Sequence, residues 1–191
     1  MKNTYINIDN RLIFREQKQV LRSVFDQIDM KKIVFIGGIA DYINLRKQYH
    51  LMVNDIDIAF ENENDIAPFL NNYGYKKYRN RFYSSEENEV IVVNIPIGGK
   101  SVHFDFFKKG FRHLEVEHSY LLGEKVMHAG FNRMRRFHNR EIGNQTSTMQ
   151  RERYEWKRLY KHSIKASLYN AVYHDLFTKT ENVPLRCALT R

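Results

Sequence analysis

Apolar residues between Leu12 and Ile28 fall at Leu12, Phe14, Val20, Leu21, Val24, Phe25 and Ile28, and from Val20 onward their spacing is helical. This predicts an amphipathic helix. Ile33-Val34-Phe35-Ile36 is a short β-rich run that stops at Gly37-Gly38, the pattern of a buried strand ending in a tight turn. Ala40–Tyr49 is predicted as a second helix. Asp55-Ile56-Asp57-Ile58-Ala59-Phe60 opens with polar–apolar alternation, as a strand does. Asn64 is placed to cap a third helix through Tyr73, which Gly74 ends.

Three further strands are predicted over Tyr75–Ser84, Val90–Ile97 and Ser101–Phe107. Turns at residues 85–89 and at Gly98-Gly99-Lys100 join them as hairpins. Pro96 marks an edge or a strand terminus. After Gly110 the character changes: Leu114–Phe137 and Arg151–Phe177 carry long helical patterns around a polar loop at Asn139–Ser147. The predicted fold is α+β, with a sheet and flanking helices over residues 1–110 and a basic helical region over residues 111–191.

At 191 residues and 42% hydrophobic, the chain suits one domain with a helical extension and excludes wholesale disorder. No apolar run is long enough to span a membrane, and the N-terminus, MKNTYINIDNRL, lacks the layout of a signal peptide. The single cysteine, Cys187, excludes an intrachain disulfide and an all-cysteine metal cage. These features predict a soluble protein of the cytoplasm with no membrane partner. Charge adds a stronger hint. Residues 1–107 carry 14 basic and 14 acidic side chains, whereas residues 108–191 carry 17 and 8. The whole net charge of +9 therefore belongs to the second part, which points to an anionic partner, nucleic acid first.

Candidate chemistry centres on Asp55-Ile56-Asp57. Alternation along a strand puts both carboxylates on one side and Ile56 and Ile58 in the core. Two acids so close repel unless a cation lies between them, and hard oxygen ligands suit Mg²⁺ or Mn²⁺. Gly37-Gly38, between a strand and a helix, allows backbone amides to approach a phosphate. Asp105, in His103-Phe104-Asp105-Phe106-Phe107, supplies a third carboxylate on another strand, opposite in direction to Phe104 and Phe106. Three such acids are what two-metal phosphoryl transfer requires.

Ile36-Gly37-Gly38-Ile39-Ala40-Asp41-Tyr42, Asn54-Asp55-Ile56-Asp57-Ile58-Ala59 and Phe104-Asp105-Phe106 together resemble the nucleotidyltransferase superfamily with the DNA polymerase β-type palm. The similarity is greatest to minimal and toxin-type bacterial members, and it covers roughly residues 30–107. The resemblance implies a palm fold and Mg²⁺ (or Mn²⁺) held by Asp55, Asp57 and Asp105. It also implies an NTP held at Gly37 and Gly38, with Asp105 activating an acceptor hydroxyl. Lys125 resembles the helix lysine that follows the palm in toxin-type members, which implies a nucleotide contact. The interval from Gly38 to Asp55 is 16 residues, longer than the common family spacing, and the basic–aspartate motif of CCA-adding enzymes is absent.

Lys76, Lys77, Arg79, Arg81 and Lys100 are candidate phosphate cations, each also readable as solvated surface charge. His50 and His103 lack a second ligand at zinc spacing and are expected in hydrogen-bonding or surface roles. Arginines interleaved with Phe131, Met134 and Phe137 in residues 131–140 leave cations free for RNA or tRNA, while the apolar positions pack inward. Tyr154, Trp156, Tyr160, Tyr169 and Tyr173 are expected in core packing. The expected activity is transfer of an NMP from an NTP to an acceptor hydroxyl, RNA slightly favoured, with pyrophosphate released. The alternatives are an inactive palm-like nucleic-acid-binding protein and an Asp-x-Asp glycosyltransferase using a nucleotide sugar.

Overall fold

A computed structural model describes residues 13–49, 51, 53–79, 89–148 and 156–181. Helix α1 (Arg15–Gln27) leads to strand β1 (Ile33–Ile36), helix α2 (Gly37–Leu45) and strand β2 (Ile56–Phe60). A 3-10 turn (Glu63–Asp65) precedes α3 (Ala67–Tyr73), β3 (Lys76–Arg79), β4 (Glu89–Ile97) and β5 (Lys100–Lys108). Then come β6 (Val116–Leu121), β7 (Glu124–Ala129), α4 (Phe131–Thr148) and α5 (Trp156–Glu181). The class is α+β, as expected. The strands form one mixed sheet in the order β3-β4-β5-β2-β1-β7-β6. In it β1 runs antiparallel to β2 but parallel to β7, and β2 runs parallel to β5.

One face of the sheet is the core. Phe35, Ile58, Phe104, Phe106, Ile91 and Val93 are all essentially inaccessible, and Val20, Leu21 and Val24 of α1 join them in the same cluster. Phe69 of α3 seats its ring 5.4 Å from Phe104 and 5.7 Å from Phe106. Burying a side chain of this size contributes about 1.5–3 kcal/mol, so this phenylalanine cluster anchors α3 to β5. The amphipathic pattern of α1 and the alternation of β2 and β5 thus have one physical destination.

The local signals shift in detail. The glycines open α2 instead of preceding it as a separate turn. Asn62, rather than Asn64, accepts the capping bond, and α3 starts only at Ala67 with Pro68 in its first turn. Gly98 and Gly99 both adopt positive φ, the conformation of the tight hairpin predicted there. Strand β3 pairs only with Glu89–Val92, so Pro96 lies where β4 has no described partner on that side. Residues 80–84 of the predicted third strand and most of the following turn lie outside the described residues, as do Arg81, His50, Tyr154 and Cys187.

The largest correction concerns residues 114–137. They are not one helix: β6 and β7 form an antiparallel hairpin that extends the sheet, and the helix begins only at Phe131. Leu122 and Gly123 turn the hairpin with φ of 51° and 94°, values a right-handed helix excludes. Gly130 then meets the start of α4 where a Cβ would collide with the Glu115 carbonyl and the Glu117 carboxylate. That carboxylate accepts from the Phe131 N–H at 2.9 Å and so caps the helix. The predicted loop at 139–147 is instead part of α4. The chain accordingly divides into compact units Met1–Met134 and Arg135–Arg191, and the expected boundary at residue 110 falls within the sheet-bearing unit.

In the second unit α4 and α5 meet through an imidazole pair. His138 and His162, only 1% and 7% exposed, face each other Nδ1 to Nδ1 at 2.9 Å. One nitrogen must donate and the other accept, so a single proton lies between the two rings. Beside them Arg158 binds the buried Glu141 at 2.8 Å. Arg135 donates to Asn170 at 2.7 Å and lies 3.7 Å above the Tyr173 ring, a structural commitment the sequence left open. Burial, reinforced by His138, pushes the His162 imidazole down to about 4. Because the folded value lies below the ordinary one, this contact stabilises fully above about pH 6.5 and is lost as pH falls towards 4. An NMR titration of the histidine ring protons is therefore expected to find His162 neutral at pH 5.5. An ordinary midpoint near 6.5 would contradict the pairing.

Candidate active site

Strand register assembles the site. Asp57 pairs with Asp105 across β2 and β5, Asp105 with Val92, and Val92 with Lys76. On the other side Asp57 pairs with Ile36, the residue before the glycines. Directly paired residues share a face, so Lys76, Val92, Asp105, Asp57 and Ile36 form one row across the sheet. Adjacent strands lie about 4.8 Å apart, so the Asp57 and Asp105 side chains leave one face of the sheet from neighbouring positions. Asp55 stands just before β2, near enough to Asp105 for its charge to raise that carboxyl's pKa. This row lies opposite the face that holds Phe104 and Phe106, as alternation predicts.

Gly37 is dictated by this arrangement. Its φ is +54°, and a Cβ built there would overlap the Asp57 carboxylate. Gly38 donates its N–H to Asp57 Oδ2 across a long 3.4 Å, and a Cβ there would lie 3.4 Å from the Asp55 carbonyl. The two glycines thus bring the first amides of α2 to the Asp-x-Asp strand. Amides at a helix start favour anions through their N–H groups and the helix dipole.

Asp105 has its own partner. His103 Nε2 lies 2.9 Å from Asp105 Oδ1, and His103 Nδ1 lies 2.7 Å from Asn94 Oδ1. Burial pushes the Asp105 carboxyl above the usual range, the imidazole pulls it down, and Asp55 raises it again. A carboxyl raised in this way is a better proton acceptor for a hydroxyl. Among the described residues, no three histidine, cysteine or acidic side chains are gathered into a metal-holding group. Asp57 turns to the Gly38 amide and Asp105 to His103, as repelling carboxylates do. The donor set itself, carboxylate oxygens on neighbouring strands of one face, fits a hard divalent ion.

The cations separate cleanly. Lys76 lies in the carboxylate row, whereas Lys77 pairs with Ile91 on the core face and binds Glu63 at 2.9 Å. Lys100 binds Glu16 at 3.3 Å and covers the Phe14 ring, and Arg79's side chain lies outside what is described. Lys125 is exposed on β7, so the helix implied for it does not exist. Phe35 aligns with His128, which leaves Lys125 four residues from the level of Ile36, about 13 Å along the sheet.

The sequence also passed over Gln17. Its amide donates to the Val53 and Asn54 carbonyls at 2.9 and 3.1 Å, fixing the chain just before Asp55. The signal was a polar residue three positions before Val20, on the buried face of α1. Beside it a pocket of about 280 Å³ is lined by residues including Phe14, Asn54, Lys100 and Ser101.

No helix among the described residues is long and apolar enough to cross a membrane. No protein-family model matches the chain, and no curated protein matches it. Among solved structures, an antigenic nucleotidyltransferase-like protein from Paracoccidioides brasiliensis is similar over 86% of this chain and 76% of its own, at 12% identity and a TM-score of 0.47.

Proposed function

We propose that this protein is a divalent-metal-dependent nucleotidyltransferase that moves a nucleoside monophosphate from an NTP to an acceptor hydroxyl, with RNA, tRNA included, favoured as acceptor. The observation that carries this reading is the pairing of Asp57 with Asp105, flanked by Asp55 and by glycines packed on the Asp57 carboxylate. Asp55, Asp57 and Asp105 are the residues that would hold Mg²⁺ or Mn²⁺. Bound there, the ions would supply charge neutralisation at the reacting phosphate.

The chain's own groups account for the remaining chemistry. The Gly37 and Gly38 amides hold triphosphate oxygens at the start of α2. Asp105 takes the proton of the acceptor hydroxyl, whose oxygen bonds to the α-phosphorus. The bond from that phosphorus to the bridging oxygen breaks, and pyrophosphate leaves. Lys76, in the same row, offsets phosphate charge. Lys76→Ala is expected to raise the KM for NTP about tenfold, the worth of one charge-assisted hydrogen bond. Lys77→Ala, which breaks the pairs with Glu63 and Glu89 on the other face, is expected to leave KM unchanged.

Electron paramagnetic resonance of Mn²⁺ tests the assignment. The wild-type chain is expected to bind Mn²⁺ in the presence of an NTP, and Asp55→Asn/Asp57→Asn to lose that binding. Binding that needs a nucleotide sugar instead of an NTP would favour the glycosyltransferase. Binding unaffected by the substitutions would remove the carboxylates from the site.

A further inference from the structure

Two rings expected in the core lie outside it. Trp156 is 67% exposed and Tyr160 70%, and Ile164, one further turn along α5, is 41% exposed. Positions i and i+4 are neighbours on a helix, so these side chains form a ladder with a rise of about 6 Å between rings. Lys157, Lys161 and Lys165 follow each of them by one residue, a second ladder beside the first. From Trp156 to His174 the helix has no acidic residue. The opposite face is already committed: His162, Ala166, Tyr169 and Val172 are buried.

We infer that this face of α5 is a docking surface for single-stranded nucleic acid, whose bases stack on Trp156 and Tyr160 and whose phosphates meet Lys157, Lys161 and Lys165. Rings supply sequence-tolerant stacking and the ammonium groups supply charge. An unpaired strand offers both a π-face and a phosphate at each step, whereas a duplex hides its bases. A bilayer would call for a broad aliphatic face, and here the outward apolar groups on these turns are two rings and one isoleucine. The surface bears on the acceptor in the reading above, yet it is defined by binding alone.

Trp156 is the chain's single tryptophan, so its fluorescence reports on the surface directly. The full-length protein is titrated with single-stranded RNA and DNA oligonucleotides, the matching duplexes, and phosphatidylserine vesicles, without NTP or divalent ion. Single strands are expected to quench Trp156 and duplexes to do so far less. Tyr160→Ala is expected to weaken binding about tenfold, while Tyr160→Phe, which keeps the ring, binds like wild type. Lys157→Ala/Lys161→Ala is expected to flatten the log–log salt dependence by about 0.7 per lysine. Asp57→Ala is expected to bind normally, so loss of transfer and loss of binding are separable. Binding indifferent to Tyr160→Ala, quenching by vesicles alone, or quenching by self-association without nucleic acid would each overturn the inference.

Discussion

Asp57→Ala is expected to lower nucleotidyl transfer by about 10³-fold or more, while the thermal midpoint stays the same or rises slightly. The two halves of this result have separate causes. Asp57 lies beside Asp105 on one face of the sheet and is the carboxylate against which the glycine turn packs. Removing a metal ligand forfeits several kcal/mol of transition-state stabilisation, and each 1.36 kcal/mol is tenfold in rate. The fold loses little, because the side chain is only half-buried and stands among like charges that repel it. Steady-state transfer and a thermal melt on the same sample check both halves. A variant that retains transfer would dismiss the assignment of Asp57; one that unfolds would make it structural.

Gly37→Ala is expected to cost about 2–5 kcal/mol of stability, the sum of a left-handed residue's strain and of overpacking against a fixed neighbour. The backbone there has φ of +54°, and the new methyl would overlap the Asp57 carboxylate. In a chain of this size the melting temperature should fall on the order of 10 °C, and activity should fall with it. Gly38→Ala is the informative contrast. Its Cβ would lie 3.4 Å from the Asp55 carbonyl and 3.5 Å from Asp55 Oδ1, which is ordinary contact. Gly38→Ala should therefore melt like wild type, yet bind NTP more weakly because the methyl stands where a phosphate approaches the amides. Equal melting and equal KM would mean that the glycines serve the turn alone.

Much of this site was legible because it rests on local periodicity. The period of two in Asp55-Ile56-Asp57-Ile58 and in Phe104-Asp105-Phe106 decides which face each acid takes, and a glycine pair after a short apolar strand announces its turn. Strand register carries no such signature. Lys76 and Lys77 are adjacent and chemically equal, and only the pairing of β3 with β4 puts one in the row of Asp105 and the other beside Glu63. The β6–β7 hairpin was misread for a related reason. Leu114, Leu121, Leu122 and Val126 also satisfy a helical period, and the decisive feature is the positive φ at Leu122 and Gly123. Lys125 was placed on a helix with it and lies on β7. Trp156 and Tyr160 were taken for core because aromatic residues at helical spacing look alike whether they face inward or out.

The central claim is that the Asp57–Asp105 row transfers the nucleoside monophosphate of an NTP. The most direct measurement follows two labels from the same nucleotide. Each NTP, carrying phosphorus-32 in the α or the γ position, is incubated with Mg²⁺, the wild-type chain and separate pools of tRNA, other RNA, protein and small metabolites. The account predicts that α-label from one NTP enters an acceptor pool, that γ-label leaves as pyrophosphate, and that Asp55→Ala/Asp57→Ala does neither. Transfer of γ-label to the acceptor, or α-label incorporation that survives in the double variant, would contradict it.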